Sequence, residues 1–279
     1  MSFKRLWEEN IIGAILVWLV FSVLARPGWL TVGGGVLIWF FLLYFTAPGI
    51  FWNLIALFNL NPEKREDLLN KALSYRPASP RPDINLAILK ARQKKWPEAA
   101  RLFEEAREKP GKQLAPRFQN LLSVCYREAG EDEKALALLD KLLKDGYSHG
   151  AVYLNQAFIH FKVGRLAEAL TAAKKARALN ISAVEPVLLL GKIHFALEDY
   201  QAAKDDYEWS IANTSWPVES YYWLGRSELA LGLLDEAVSH LETAVQRITE
   251  DPLLSDVPVN EAQEWLEKAR ALKTEQTAD

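Results

Sequence analysis

The chain has 279 residues, half of them apolar, and its 33 basic and 36 acidic side chains leave a formal net charge of −3. This balance gives no general reason to expect nucleic acid as a partner, because binding nucleic acid requires a clustered basic surface. The single cysteine, Cys125, excludes an intramolecular disulfide and a thiolate cluster for zinc or iron and sulfur, and we interpret it as a small buried side chain.

Two uncharged apolar segments lie near the amino terminus, joined by a short connection that contains Pro27 and Gly28. Each segment approaches the roughly 20 residues that cross about 30 Å of hydrocarbon. The pair therefore predicts a transmembrane helical hairpin over residues 1–49, with spans of about 8–25 and 29–48.

Basic residues flank this hairpin on both sides, whereas its connection carries Arg26 alone. The bias predicts a two-span protein of the cell membrane with both termini in the cytoplasm. A secretory signal peptide cleaved near Ala25 is the competing interpretation. Consecutive glycines in the second span predict close helix packing, either with another membrane protein or with the first span, and they are Gly33, Gly34 and Gly35.

Residues 50–79 predict an interfacial helix followed by half of a helical repeat. The apolar stretch 50–60 contains Asn53 and Asn59, which favours either an extension of the membrane helix or a helix at the bilayer surface. Pro62 is placed to start the next helix, and the Arg76-Pro77 pair is placed to end it.

The rest of the chain repeats small residues at a nearly fixed period. Intervals of 36, 34, 34 and 34 residues separate Ala99, Ala135, Ala169, Ala203 and Ala237. Twelve residues before each of them lie Ala87, Ser123, Ala157, Gly191 and Gly225. Five residues before three of them lie Gly130, Gly164 and Gly232. We expect the small side chains to let antiparallel helices approach closely, and the glycines to reverse the chain between them.

This pattern resembles the tetratricopeptide repeat, whose period is 34 residues, and the Leu-Gly pair of that family recurs at Leu190-Gly191 and Leu224-Gly225. The resemblance implies an all-α solenoid of antiparallel helix pairs, with five repeats at 80–113, 116–149, 150–183, 184–217 and 218–251. Three residues after the second set of small residues, where the family favours an aromatic side chain, stand Lys90, Tyr126, His160, His194 and Glu228. We interpret the two histidines as packing residues rather than metal ligands.

Residues 252–279 predict a capping helix and a frayed tail. The helix is expected from Val257 to Thr274, with Asn260 as its cap and Trp265 as a structural plug over the last repeat. The tail is expected to fray from Lys273 onward.

No phosphate loop, nucleophile motif or metal motif occurs, so we expect neither an enzyme nor a cofactor. The resemblance implies a concave groove built from the first helices, and its binding residues would be Arg81, Asn85, Arg92, Arg117, Asn120, Arg127, Phe158, Phe161, Lys162, Lys192, Phe195, Tyr222 and Arg226. Arginine and aromatic side chains are typical of binding hot spots, which favours an acidic or amphipathic protein segment as the ligand. The alternative is that the aromatic rings fill space between helices and that acidic neighbours pair with the cations.

The expected function is that of a bacterial, membrane-anchored adaptor that recruits a cytoplasmic protein through this groove. One alternative is an assembly factor or non-catalytic subunit of an integral membrane complex, docked through the hairpin. Another is a component of an enzyme or transporter whose active partner is a separate chain.

Overall fold

The computed structural model of the chain describes residues 40–109, 114–179, 184–215, 217–252 and 255–278. All regular structure in these ranges is helical, which confirms the all-α prediction. A helical segment at 40–46 precedes helices with the bounds Pro48–Phe58 (α1), Pro62–Ser74 (α2), Arg81–Arg92 (α3), Trp96–Glu108 (α4), Pro116–Glu128 (α5), Asp132–Lys144 (α6), Gly150–Lys162 (α7), Leu166–Ala178 (α8), Val184–Ala196 (α9), Tyr200–Asn213 (α10), Val218–Ala230 (α11), Leu234–Glu250 (α12) and Val259–Ala278 (α13).

The chain divides into two compact units, Met1–Glu131 (unit 1) and Asp132–Asp279 (unit 2). In unit 1, neighbouring helices pack in succession from α1 with α2 to α4 with α5, and in unit 2 they do so from α6 with α7 to α12 with α13. Cys125 is buried on α5, as predicted, and burial raises the pKa of its thiol to about 11.

The recurrent small residues lie where paired helices touch, as predicted. All five alanines of the first set are fully buried. A Cβ atom added to Gly191 would lie 2.7 Å from ring carbons of Tyr207, and one added to Gly225 would lie 2.7 Å from Cγ of Leu241. These distances leave no room for a larger side chain, so the glycines set how closely the helices approach.

The turns between paired helices share a left-handed backbone even where no glycine is present. Gly130, Gly164 and Gly232 have φ values of 83°, 75° and 76°, which confirms their predicted role. At the equivalent positions of the first and fourth repeats, Lys94 has a φ of 58° and Glu198 a φ of 62°. An L-residue with a side chain pays a steric penalty in this region that glycine does not.

We therefore expect Lys94→Gly to raise the free energy of unfolding by about 0.5–1 kcal/mol, since glycine relieves the left-handed strain at some cost in chain entropy. Urea denaturation measures the change. Lys95→Gly is the matched control, because Lys95 has a φ of −85° and gains nothing from glycine. A Lys94→Gly variant that is less stable than the wild type would contradict this expectation.

Three residues after the second set of small residues, the sequence had suggested substitutes for a packing aromatic ring. In most repeats this position instead forms a polar pair. In the fourth repeat, Nδ1 of His194 lies 2.8 Å from Oδ2 of Asp206. In the fifth, Nδ1 of His240 lies 2.7 Å from Oε2 of Glu228, whose side chain is 1% exposed. In both repeats the partner stands twelve residues further along the chain, on the second helix of the same pair.

In unit 1, the same position also reaches the preceding helix pair. Nζ of Lys90 lies 2.7 Å from Oε1 of Glu66 on α2, and 2.9 Å from Oε2 of Glu98 on α4. The hydroxyl of Tyr126 donates to the carboxylate of Glu104, one helix earlier. Hydrogen bonds to Glu66 and Glu98 raise the pKa of Lys90, and the hydrogen bond from Lys90 lowers the pKa of Glu66.

Residues 48–74 form a helix pair in unit 1. Asn61 caps α2 by accepting a hydrogen bond from the amide of Lys64 at 3.1 Å, as the Asn61-Pro62 sequence predicts. On α1, Asn53 is 4% exposed and accepts a hydrogen bond from Nδ2 of Asn85 at 2.8 Å. Asn53 is therefore a buried contact between helices, whereas the sequence had suggested a marker of the bilayer surface.

The prediction of a two-span membrane protein with cytoplasmic termini is wrong for the described chain, where no helix combines the length and the apolar character needed to cross a bilayer. The predicted span 8–25 and the packing glycines Gly33, Gly34 and Gly35 lie outside the described residues. Of the span 29–48, only residues from 40 onward are described, and their helix ends at residue 46 before α1 begins at Pro48.

The last helix differs in its bounds from the prediction. It begins at Val259, so Asn260 lies inside its first turn and does not cap it. It continues to Ala278, so residues 273–278 are helical and the expected frayed tail is wrong over that range. Its buried face includes Ala262, Leu266 and Ala269, which are all in the core.

Candidate functional site

Three predicted groove residues, Arg81, Asn85 and Arg92, form a stripe along one face of α3 together with Ile88, and we call these four residues the α3 stripe. Arg81 and Arg92 are exposed, and neither guanidinium forms an ion pair with any described residue. The nearest acid in sequence, Asp83, is 3% exposed and lies 2.5 Å from Nζ of Lys109. The stripe therefore presents two positive charges that no described carboxylate neutralises.

A small cavity of about 150 Å³ adjoins the α3 stripe. Asn85, Ile88 and Arg92 line it together with residues of α1 and α2, namely Ala56, Leu57, Arg65 and Leu69. The guanidinium of Arg65 donates to the carbonyl oxygen of Asn59 at 2.8 and 2.5 Å, which holds it at the edge of the cavity. An apolar floor beside cationic groups suits an apolar side chain that has a carboxylate close by.

The three predicted residues on α5 differ in their surroundings. Arg117 is exposed, and its guanidinium lies 4.6 Å from the ring centroid of Phe118. Arg127 pairs with its neighbour Glu128 at 2.8 Å. Asn120 is partly buried, and its carbonyl oxygen accepts a hydrogen bond from Oγ of Ser123 at 2.6 Å. Of the three, Arg117 extends the positive surface of unit 1.

In unit 2, the predicted residues on α7 serve packing and pairing. Phe158 and Phe161 pack against the buried cluster that includes Leu154 and Ile193. Lys162 is exposed, and its Nζ lies 3.0 Å from the carboxylate of Asp132. This arrangement matches the alternative in which rings fill space between helices and acids neutralise the cations.

The remaining predicted residues meet at the carboxyl-terminal end of unit 2. The guanidinium of Arg226 lies 4.2 Å from the ring centroid of Trp265, 4.7 Å from Trp223, 5.0 Å from Phe195 and 5.5 Å from Tyr222. Its Nε atom is buried and has no hydrogen-bond partner among the described residues. Four rings thus hold this cation by cation–π contacts, which are strongest where water is excluded.

Tyr222 and Lys192 are also engaged within unit 2. Tyr222 is fully buried, and its hydroxyl donates to Oε1 of Glu261 on α13 at 2.6 Å. Burial and this carboxylate raise the pKa of Tyr222 far above its usual range. Nζ of Lys192 lies 2.6 Å from Oε1 of Glu219. The buried ring of Tyr222 has no surface to offer a partner.

Sequence reasoning missed several residues that shape these surfaces. Trp223 and Glu261 complete the surroundings of Arg226 and Tyr222, and no motif marks either residue. Leu57 lines the cavity beside the α3 stripe but falls in the apolar stretch 50–60, which the sequence had suggested was part of the membrane helix or at the bilayer surface. Arg65 also lines the cavity and lies in the predicted half repeat, to which the sequence assigned no binding residue.

A family model described as tetratricopeptide repeat matches residues 84–146 and 188–252. No curated protein matches the sequence. The fold resembles a chain of the APC/C hetero-tetramer Cut9-Hcn1, with a TM-score of 0.65 and 15% identity over 81% of this chain and 44% of that one, so this chain spans less than half of that relative.

Two other solved structures are similar over nearly their whole length. PilF of Pseudomonas aeruginosa has a TM-score of 0.62 and 19% identity over 79% of this chain and 97% of that one. A tetratricopeptide repeat protein from Parabacteroides merdae has a TM-score of 0.60 and 16% identity over 80% of this chain and 98% of that one. At these identities, the likeness shows the fold. The matched segments and the shared fold together support the tetratricopeptide repeat family for the repeat region of this chain.

Proposed function

We propose that this chain is a protein-interaction scaffold and that the α3 stripe binds an acidic segment of a partner protein. Proteins with tetratricopeptide repeats generally mediate protein–protein interactions. The observation that carries the proposal is the pair of exposed guanidiniums, Arg81 and Arg92, which have no carboxylate partner among the described residues beside an apolar cavity. We propose no reaction.

The contrast with unit 2 favours unit 1 as the binding surface. In unit 2, Lys162, Lys192 and Arg226 are each held by an acid or by aromatic rings of the same unit. A partner would have to break those contacts before it gained new ones. Arg81 and Arg92 carry no such cost, and a planar guanidinium is well suited to bind a carboxylate through two parallel hydrogen bonds.

The size of the cavity limits what it can receive. Small-molecule pockets usually measure about 300–1,000 Å³, whereas this cavity measures about 150 Å³. It fits a single apolar side chain between Leu57, Leu69 and Ile88. The expected ligand is therefore a peptide segment with one apolar anchor and at least one acidic residue within a helical turn of it.

Selection from a random twelve-residue peptide display library tests this proposal. We expect the wild-type chain to enrich peptides that combine acidic residues with an aliphatic or aromatic anchor. Arg92→Glu should lower the affinity for the selected peptides about tenfold or more, which is the scale of a lost charged hydrogen bond. The double variant Arg81→Glu with Arg92→Glu should lower it further. Isothermal titration calorimetry with one selected peptide gives the affinity.

The matched control is Arg101→Glu on α4, where the side chain is exposed and its ion pair with Glu105 is solvated. It makes the same change of charge on another face and should leave binding unchanged. Selected peptides without an acidic bias, or peptides that bind Arg92→Glu as tightly as the wild type, would overturn the proposal.

A further inference from the structure

A second cavity, of about 470 Å³, lies within unit 2 between α6, α7 and α8. The residues that matter for its chemistry are Leu143 on α6, Tyr153, Gln156 and His160 on α7, and Ala172 and Lys175 on α8. None of them belongs to the predicted groove. Its volume lies in the usual range for small-molecule sites.

The 34-residue frame shows which side chain would otherwise occupy this space. In the fourth repeat, the residue twelve positions after His194 is Asp206, and its carboxylate lies 2.8 Å from Nδ1 of the imidazole. In the third repeat, the residue twelve positions after His160 is Ala172. Nδ1 of His160 is buried and has no hydrogen-bond partner among the described residues.

Two further positions of the frame enlarge the cavity. Arg177, at the end of the third repeat, lies 3.5 Å from Asp206 of the fourth, and its guanidinium lies 5.6 Å from the ring centroid of Trp209. The residues 34 positions earlier than Arg177 and Trp209 are Leu143 and Lys175. The third repeat thus has neither the carboxylate nor the indole that fill the corresponding region of the fourth.

The wall of the cavity is also polar at a position where the other repeats are apolar. Gln156 occupies the column that holds leucine elsewhere, namely at Leu86, Leu122, Leu190 and Leu224. It is 9% exposed, and its Nε2 donates to Oδ1 of Asp140 at 2.7 Å. This hydrogen bond offsets the cost of burying an amide in a column that is otherwise leucine.

We propose that this cavity binds a small organic carboxylate with an apolar or aromatic body. Its carboxylate occupies the place beside His160 that Asp206 takes beside His194, and the ammonium of Lys175 at the rim neutralises it. Its body lies against Leu143 and the ring of Tyr153.

The charges around the cavity select this orientation. Glu168 also lines the rim, seven residues before Lys175 on α8, which is about 10 Å along the helix axis. The negative charge of Glu168 repels a carboxylate from its own end, so the carboxylate lies near Lys175. Burial lowers the pKa of His160, while Glu168 and Asp140 oppose that shift and Arg165 adds to it. The unoccupied imidazole is therefore neutral at pH 7, and a bound carboxylate raises its pKa.

Ligand-observed NMR and calorimetry with the full-length chain test the proposal. The probes are phenylacetate, 3-phenylpropionate and indole-3-acetate, each compared with its primary amide. We expect the carboxylates to bind at least about tenfold more tightly than the amides, as a charged hydrogen bond requires. The ¹⁵N shifts of His160 should show a higher pKa when a carboxylate is bound.

The frame also supplies the control variants. Ala172→Leu places at this position the leucine that the first two repeats have at Leu102 and Leu138, so it should fill the cavity, keep the fold and abolish binding. Lys175→Gln should lower the affinity for the carboxylates several-fold and leave the affinity for the amides unchanged. Three results would overturn the proposal. The first is that none of the three carboxylates binds at 10 mM, which is about the weakest affinity that a ligand of this size would show. The others are equal binding of carboxylates and amides, and unchanged binding to Ala172→Leu.

Discussion

Tyr207→Ala is expected to lower the free energy of unfolding by about 3–5 kcal/mol, the usual cost of removing a large buried aromatic ring. Tyr207 is fully buried on α10, where it packs with Ala203 and Leu224 and stacks on Trp223 at a centroid distance of 6.5 Å. Urea denaturation followed by circular dichroism measures the loss. A decrease below about 1 kcal/mol would be close to the effect of an ordinary surface substitution. Such a result would contradict the packing described for α10.

The hydroxyl of Tyr207 provides the first control. It is buried without a hydrogen-bond partner among the described residues, and this burial raises the pKa of Tyr207 well above its ordinary value. Tyr207→Phe removes an unsatisfied polar group and keeps the ring, so stability should stay the same or rise. The pair of variants separates the ring from the hydroxyl.

Gly191 provides the second control, as a double-mutant cycle. In the wild type, Gly191→Ala should cost about 1–3 kcal/mol, because its Cβ would lie 2.7 Å from ring carbons of Tyr207. In the Tyr207→Ala background the contact is gone, and alanine in the helix should be neutral or favourable. Additive effects of the two substitutions would show that the ring does not set the distance between α9 and α10.

His240→Gln is expected to destabilise the chain by about 1–3 kcal/mol at pH 6, because it removes the cation that pairs with a buried carboxylate. The carboxylate of Glu228 is 1% exposed and lies 2.7 Å from Nδ1 of His240. This hydrogen bond raises the pKa of His240 above its ordinary value of 6.5, against the opposing effect of burial.

The sign of the pH dependence follows from that direction. A histidine whose pKa is higher in the folded state binds its proton more tightly there, so its stabilising contribution is complete below pH 6.5, the unfolded value. The contribution is lost as the pH rises through the higher folded pKa. The difference in free energy of unfolding between wild type and His240→Gln should therefore shrink as the pH rises from 6 through the folded pKa, which lies above 6.5.

The wild type and the variant share the other histidines, so the difference between their free energies of unfolding depends on His240. Burial lowers the pKa of His160, which makes its own contribution fall as the pH drops below 6.5, but this effect is common to both proteins and cancels. Glu228→Gln should return the pKa of His240 towards 6.5 in an NMR titration. A wild-type His240 that titrates at or below that value would refute the pairing.

The period of the sequence predicted the helix pairs well, because close helix contacts require small side chains at fixed positions. It did not predict the left-handed turns at Lys94 and Glu198, since only glycine signals that conformation in a sequence. It also missed the polar pairs, because the partner of Lys90 lies 24 residues earlier and that of His194 twelve residues later. No single spacing describes contacts that different helices make.

The candidate site was predictable only in part. The groove positions implied by the family resemblance include Arg81, Asn85 and Arg92, which share one face of α3. The resemblance also placed Tyr222 in the groove, where the structure buries it against Glu261, because a spacing carried over from a family does not register a cap such as α13. Whether a cation is paired depends on acids from other helices. Lys192 pairs with Glu219, whereas Arg92 has no ion pair among the described residues.

The two kinds of polar pair have different consequences for rearranging the chain. The pairs His194–Asp206 and Glu228–His240 each lie within one repeat, so those two pairs would survive if their repeats were duplicated or moved. Lys90 would keep Glu98 of its own repeat but lose Glu66, and Tyr126 would lose Glu104, because both lost acids belong to the preceding helix pair. Contacts of this second kind also join Lys192 to Glu219 and Arg177 to Asp206 in unit 2, so they are the contacts that fix the order of the repeats.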